Sequence, residues 1–295
     1  MVELLAGGEK HQRTAVCYLS RLGNPGFLTR NFFHSLLVDD SHQNCDLWVI
    51  LKGYGPDQTD PVLAGLPAKL RDRIRLLRIN DNGYDINAYF AAAAAIDSPL
   101  FLFFNSYSQL LGANWLEYYH NAFEKIGGDG LVGATGSFER MLEDDPWPNI
   151  HIRSNGFMIA RDRFLNINAG PLETKRDCNR FEAGPGSMTR QILEDGKQVV
   201  LVDKSGRVVK PQDWPGAGIF RSHRQQNLLV GDNRCYAWDM ARNSKRRRLA
   251  RLAFGDQAIA PNIGLVDRGK AFIQWNKFRL RSVLNNGDSA GSDDR

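Results

Sequence analysis

Leu100-Phe101-Leu102-Phe103-Phe104 is an unbroken apolar run that gives way at once to Asn105-Ser106-Tyr107-Ser108. Five such residues, entered from Ser98-Pro99 and left through polar ones, fit a strand covered on both faces, which requires helices above and below its sheet. Three runs upstream have the same character: Ala15-Val16-Cys17-Tyr18-Leu19, Asp46-Leu47-Trp48-Val49-Ile50-Leu51 and Ile74-Arg75-Leu76-Leu77-Arg78-Ile79. Helical stretches separate them. One follows the turn Gly23-Asn24-Pro25-Gly26, with Thr29 as its expected cap and Phe32, Phe33, Leu36 and Leu37 on its buried stripe. A second starts on Pro67 and reaches Arg73, and a third runs from about Ile86 through the alanines at 91–95. Strands without polar alternation, separated by helices, predict an α/β fold with a mostly parallel central sheet flanked by helices.

Beyond Gly112 the sequence predicts a helix over Trp115 to Ile126, a Gly-rich strand over Gly130 to Gly136, and a strand from His151 to Ala160. A helix opens in the segment Arg180 to Arg190 and ends near Gly196. The strand Val199 to Val202 then turns at Gly206 into Val208-Val209. These elements make one unit over 14–235, with halves 14–112 and 113–235. Residues 236–295 form a basic helical extension whose last dozen residues read as a flexible tail.

The 295 residues are 42% hydrophobic and 24% charged, the balance of a globular chain rather than a disordered or fibrous one. The 38 Lys and Arg exceed the 33 Asp and Glu by five, which suits nucleic acid, anionic lipid or a phosphorylated small molecule. Cys17, Cys45, Cys178 and Cys235 are too far apart for a metal knuckle and too few for a disulfide scaffold, so they read as reduced thiols. No apolar run is long enough to span a bilayer and MVELLAGGEKHQR lacks the pattern of a leader, so the expected location is the cytoplasm.

In open α/β sheets ligands bind beyond the carboxyl ends of the strands. The residues there are Ser20 and Arg21, Lys52 to Tyr54, Asn80 to Asp85, and Asn105 to Ser108. No GxxxxGK[ST] loop, GxGxxG after the first strand, GxSxG elbow or HExxH site occurs, which removes several common α/β enzymes.

The order of these segments resembles the GT-A fold glycosyltransferases, and within them the family-2-like polysaccharide glycosyltransferases of bacteria. Ser20-Arg21, the stretch Asp81 to Tyr89 and Asn105-Ser106-Tyr107-Ser108 are similar to the nucleotide-sugar half. The strand His151 to Ala160 and the segment around Glu182 are similar to the acceptor half. The resemblance implies a Rossmann-like sheet and transfer of a hexosyl or related group from a nucleotide-diphosphate sugar to a hydroxyl of a glycan or lipid-linked acceptor, with inversion. It assigns Ser20, Arg21, Lys52, Asp81, Gly83 and Asp85 to the donor and puts Asn105 and Ser106 by the diphosphate. It makes Glu182 the catalytic base, with Asp177 a weaker rival, and has His223 close the site.

One departure bears on the cofactor. Where such enzymes carry DxD to hold Mn²⁺ or Mg²⁺, this chain has Asn105-Ser106-Tyr107, neutral oxygens that bind a hard cation weakly. Either Asn105 and His223 help complete a metal site, or Arg and Lys alone stabilise the leaving group. Each residue also has a structural alternative: Asn105 and Ser106 as turn caps, Asp85 and Glu182 at helix termini, His223 on the surface, and Trp115, Trp147 and Trp214 as packing rather than sugar-stacking rings. Asp81 is the stronger donor candidate of the two aspartates. A non-catalytic GT-A-like domain that binds nucleotide or glycan is the alternative reading of the whole, and a nucleotidyltransferase a weaker one. The basic stretch 242–254, with Leu249, Leu252 and Phe254 interleaved, suits either a solvated face or peripheral contact with anionic lipid. It lacks the aromatic platform that nucleic acid would need.

Overall fold

The computed structural model describes residues 13–143 and 145–288, with the side chains of the last helix described as far as 277. The first half runs β1 (Thr14–Arg21), α1 (Gly26–Leu36), β2 (Asp46–Lys52), α2 (Pro61–Ala64), α3 (Ala68–Arg71), β3 (Ile74–Ile79), α4 (Asp85–Ala95) and β4 (Leu100–Phe104). Then come β5 (Gln109–Leu110), α5 (Trp115–Lys125), β6 (Gly130–Gly133), β7 (Gly136–Ser137), β8 (His151–Ile152), β9 (Phe157–Ala160) and α6 (Arg161–Leu165). The chain continues with α7 (Lys175–Ala183), α8 (Met188–Glu194), β10 (Gln198–Val202), β11 (Val208–Val209), β12 (Val230–Gly231), α9 (Asn233–Met240), α10 (Asn243–Phe254) and α11 (Leu265–Asp288).

Eight strands form one sheet in the order β11-β10-β6-β9-β4-β1-β2-β3. β1 pairs in parallel with β2 and β4, β2 with β3, and β6 with β10, so the sheet is mostly parallel as expected. β9 lies antiparallel between β4 and β6, and β11 is an antiparallel edge. The chain moves outward from β1 through β2 to β3 and then returns to lay β4 on the other side of β1. That reversal makes the β1/β4 boundary the switch point, where two loops leave in opposite directions and open a crevice.

Alternate residues of β4 feed two cores. Phe101 and Phe103 join Tyr89, Phe157, Phe164 and Phe181 on one face, while Leu100, Leu102 and Phe104 join Phe32, Leu36 and Trp115 on the other. All five β4 side chains are buried, each contributing roughly 1.5–3 kcal/mol of transfer free energy. β3 differs because nothing among the described residues pairs with its outer edge: Arg75, Leu76 and Arg78 are exposed, and charge there blocks edge-to-edge pairing.

Several local expectations are corrected. Pro25, not Thr29, sits at the N-cap of α1, and Thr29 lies inside the helix donating to Asp60 Oδ2 at 2.6 Å. The Pro67 helix ends at Arg71. The strand expected over His151 to Ala160 is two strands with a turn between them, and the single helix expected around Glu182 is the end of α7 and the start of α8. Trp115 and Trp214 are core rings, while Trp147 is half exposed against Phe138.

The boundary expected at 235/236 falls inside α9, whose Cys235 and Trp238 are fully buried. The C-terminal helices pack onto the sheet unit through Phe254 against Phe138 and Trp275 against Tyr236. α11 is helical to Asp288; residues 289–295 of the expected tail, like 1–12, lie outside the described residues. Among the described residues no helix is long and apolar enough to cross a membrane.

Candidate active site

A cleft of about 340 Å³ opens at the β1/β4 switch point. Its walls come from the ends of β1 and β4, the loop before α4, the turn before β9, one face of α7 and the start of α9.

The loop before α4 is pinned from below. Lys52, at the end of β2 and only 1% exposed, donates from Nζ to the carbonyls of Asn80 (3.3 Å) and Asn82. Burial holds its pKa below the usual lysine range, against the pull of Asp81. Arg21 closes the loop from the side, its Nε and Nη2 meeting Asp81 Oδ1 and Oδ2 at 2.8 and 2.9 Å. That fork keeps the Asp81 pKa below the usual carboxylate range. At Gly83 the backbone has φ +65°, and a Cβ would stand 2.7 Å from the Leu172 carbonyl oxygen, so glycine is required by both conformation and space.

On the cleft floor Ser154 Oγ lies 3.2 Å from Asp85 Oδ2 and 3.2 Å from Glu182 Oε2. A hydroxyl carries one proton, so Ser154 can donate to only one of the two carboxylates at a time. Burial raises the Asp85 pKa above the usual carboxylate range, with Lys175 opposing the shift and the nearby Glu182 adding to it.

A pH dependence follows. A carboxyl whose folded pKa lies above its unfolded value binds more protons when folded, so it lowers stability as pH rises from the unfolded pKa of about 3.9 through the folded one. Asp85→Asn removes this contribution. Urea denaturation across pH 4 to 7 should show the variant losing less stability than the wild type over that rise; identical slopes would contradict the raised pKa.

The cationic side of the cleft is built on Arg153, 6% exposed, whose Nη2 donates to Asp232 Oδ2 at 2.6 Å while its guanidinium lies 4.3 Å from the Phe220 ring centre. Asp232 also caps α9, accepting from the backbone N–H groups of Arg234 and Cys235 at 3.0 Å each. Burial alone would raise the Asp232 pKa, but Arg153 outweighs it and the net shift is downward. The turn that carries Arg153 and Ser154 is fixed by Tyr89 to the Ser154 carbonyl (3.2 Å), Ser108 to the Asn155 carbonyl (2.5 Å) and Tyr119 to the Gly156 carbonyl (3.0 Å). Lys175, over the Tyr84 ring, and Arg234 complete the cationic wall, and neither makes an ion pair among the described residues.

The cleft thus brings together Arg21, Lys52, Gly83, Asp85, Asn105, Ser106 and Glu182. Ser20 is buried behind it, donating to Asp60 at 2.8 Å. Asp81 faces outward on Arg21, so of the two aspartates it is Asp85 that lines the cleft. Glu182 stands in the last turn of α7, where the helix dipole disfavours a carboxylate, so the helix-terminus alternative does not account for it. Asp177 instead makes a capping box with Thr174 at the other end of α7 and does not line the cleft. His223 does not line it either; its backbone N–H donates to the Ile259 carbonyl. Arg153, Ser154 and Lys175 carry no mark in the sequence, whereas Arg234 belongs to Asp232-Asn233-Arg234, which reads as either a turn or a polar contact. The Asn155-Gly156 pair was the available signal for the turn that presents the first two.

The donor set does not fit a hard divalent cation. Asn105 Oδ1 already accepts from the Tyr107 N–H (2.9 Å) and Ser108 Oγ (3.1 Å), and Ser106 Oγ donates to the Leu19 carbonyl at 2.8 Å. Asp232 is committed to Arg153, and no cluster of three or more His, Cys, Asp or Glu side chains suited to a metal occurs among the described residues.

No protein-family model matches the chain, and no curated protein is similar to it in sequence. Among solved structures it is similar to the mannosyltransferase PcManGT from Pyrobaculum calidifontis, in complex with GDP-Man and Mn²⁺, at 12% identity over 72% of this chain and 60% of that one, with a TM-score of 0.47. It is also similar to the galactosyltransferase LgtC in complex with donor and acceptor sugar analogues, at 13% identity over 51% and 59% of the two chains, with a TM-score of 0.39. HddC from Yersinia pseudotuberculosis shares 13% identity over 52% and 80%, with a TM-score of 0.35. The matched region spans about three fifths of the first two structures. With TM-scores below 0.5, these likenesses carry no argument about activity.

Proposed function

We propose that the chain is a glycosyltransferase that moves a hexosyl or related group from a nucleotide-diphosphate sugar to a hydroxyl of a glycan or lipid-linked acceptor, by direct inverting displacement. The observation that carries this reading is the pairing, in one cleft at the switch point, of two carboxylates bridged by Ser154 with a wall of Arg and Lys. The donor diphosphate lies against Lys175, Arg234 and the Arg153 edge. As the acceptor oxygen bonds to the anomeric carbon, Glu182 takes its proton, and the bond from that carbon to the diphosphate oxygen breaks with its electron pair leaving on the phosphate. The cations meet the charge that develops there. Ser154 holds Glu182 in place.

Because the donor set at the end of β4 does not suit a divalent cation, leaving-group stabilisation falls to Arg and Lys. Released nucleoside diphosphate, assayed over UDP-, GDP-, CDP- and dTDP-sugars with a mixed acceptor panel, tests this. At least one donor should be consumed at a rate that EDTA leaves unchanged. Donor binding without turnover across the screen would favour the non-catalytic alternative, and neither binding nor turnover would end the donor claim. Exposed Lys245, Arg247, Arg248 and Arg251 beside exposed Leu252 on α10 support peripheral contact of 242–254 with an anionic membrane at its cytoplasmic face.

A further inference from the structure

The basic run on α10 does not turn wholly outward. Arg246 is 1% exposed, folded under the helix with its guanidinium 4.7 Å from the Trp238 ring centre. Its Nη2 donates to the carbonyls of Trp238 (3.1 Å) and Asp239 (3.2 Å), in the last turn of α9. Its Nε and Nη1 are buried and have no hydrogen-bond partner. Nearly all buried polar groups in folded proteins are satisfied, so two leftover donors on one buried guanidinium call for an acceptor.

Space for one adjoins them. Arg246 lines a cavity of about 300 Å³ between α9, α10 and α11, which shares no lining residue with the cleft. Lys204 and Lys270 also line it, and neither makes an ion pair among the described residues. Its two carboxylates are already engaged: Asp239 accepts from Trp275 Nε1 (2.7 Å) and Gln225 Nε2 (3.1 Å), and Asp267 pairs with Arg224 at 3.3 Å. Asp267 answers Arg224 and Asp239, bonded only to neutral donors, answers Arg246, so the four cations of the lining exceed its two carboxylates by two, a positive excess that water does not neutralise. We propose that this cavity is a second anion-binding site, built for a phosphate or diphosphate group that Arg246 holds from beneath and Lys204 and Lys270 hold at the mouth. The cleft and this site stand at opposite ends of α9, about 12 Å of helix apart.

The group could be free or carried by a lipid, and the test separates the two. Phosphate and pyrophosphate are titrated calorimetrically into the full chain carrying Lys175→Glu and Arg234→Glu, which removes anion binding at the cleft, and into the same protein with Lys204→Glu and Lys270→Glu added. Both lysines are exposed, so their reversal spares the core. Arg246→Met is measured in parallel, with circular dichroism to check its fold. Co-sedimentation with phosphatidylcholine vesicles, with and without phosphatidic acid, reads the lipid source. The expected result is saturable binding in the cleft variant to at least one probe, weakened about tenfold or more by the two lysine reversals. Binding of the free ions alone assigns a soluble phosphate; binding confined to phosphatidic acid vesicles assigns a headgroup. No binding to any probe, or binding that the lysine reversals leave intact, overturns the proposal.

Discussion

Glu182→Gln should lower turnover by roughly 10²- to 10⁴-fold, the range expected when a positioned general base is lost, while donor affinity stays within a factor of about two. The amide fills the same space at the end of α7 and still bonds Ser154, but it cannot take the acceptor's proton. Asp85→Asn is the informative partner. If Asp85 is protonated, an amide reproduces its donor bond to Ser154, and turnover should fall by no more than about tenfold. Rapid-quench turnover and calorimetric donor affinity on both variants separate the roles. Equal losses would mean that the pair acts as one structural unit, and full turnover in Glu182→Gln would remove it as the base.

The second large effect concerns stability. Arg153→Met should cost about 3–5 kcal/mol, because it leaves the Asp232 carboxylate buried without its counter-charge. Adding Asp232→Asn should restore a substantial part, since an amide needs no counter-ion and can still cap α9. The pH dependence should also reverse sign. In the wild type the depressed Asp232 pKa gives stability that is full above the unfolded carboxylate value of about 3.9 and is lost as pH falls through the folded value. In Arg153→Met, burial, the largest influence, is opposed only by the N–H donors of Arg234 and Cys235, so the folded pKa rises above the unfolded one and stability falls as pH increases. Urea denaturation between pH 3 and 7 reads both. A loss below about 1 kcal/mol, within the range of exposed pairs, would mean that the pair does not behave as buried.

What the sequence revealed and what it hid divide along physical lines. The strands β1, β2, β3 and β4 were legible because burial on both faces, or a short alternation bounded by breakers, marks the residues themselves. The polar residues just past β1 and β4 were legible for the same reason, since the end of an apolar run marks a sheet edge. The turn at 153–156 was not: Arg153-Ser154-Asn155-Gly156 interrupts the apolar residues of His151 to Ala160, but nothing local shows that these polar residues are turned inward. Its polar residues are buried by Tyr89, Ser108 and Tyr119, all distant in sequence, and no local pattern encodes that. Asp81 and Asp85, four residues apart, look alike as letters; Arg21 draws the first outward, and the start of α4 directs the second toward Glu182. Arg246 reads as one of four consecutive basic residues, and only the packing of α10 against Trp238 turns it inward.

The most direct measurement is calorimetric titration of UDP, GDP, CDP and dTDP, in the presence of EDTA, into the wild-type chain and into Lys175→Glu/Arg234→Glu. At least one nucleoside diphosphate should bind the wild type with one-to-one stoichiometry, and the double reversal should weaken that binding by two orders of magnitude or more, roughly 3 kcal/mol. Absence of binding by all four to the wild type, or binding that survives the reversal, would contradict a cation-walled donor site in this cleft.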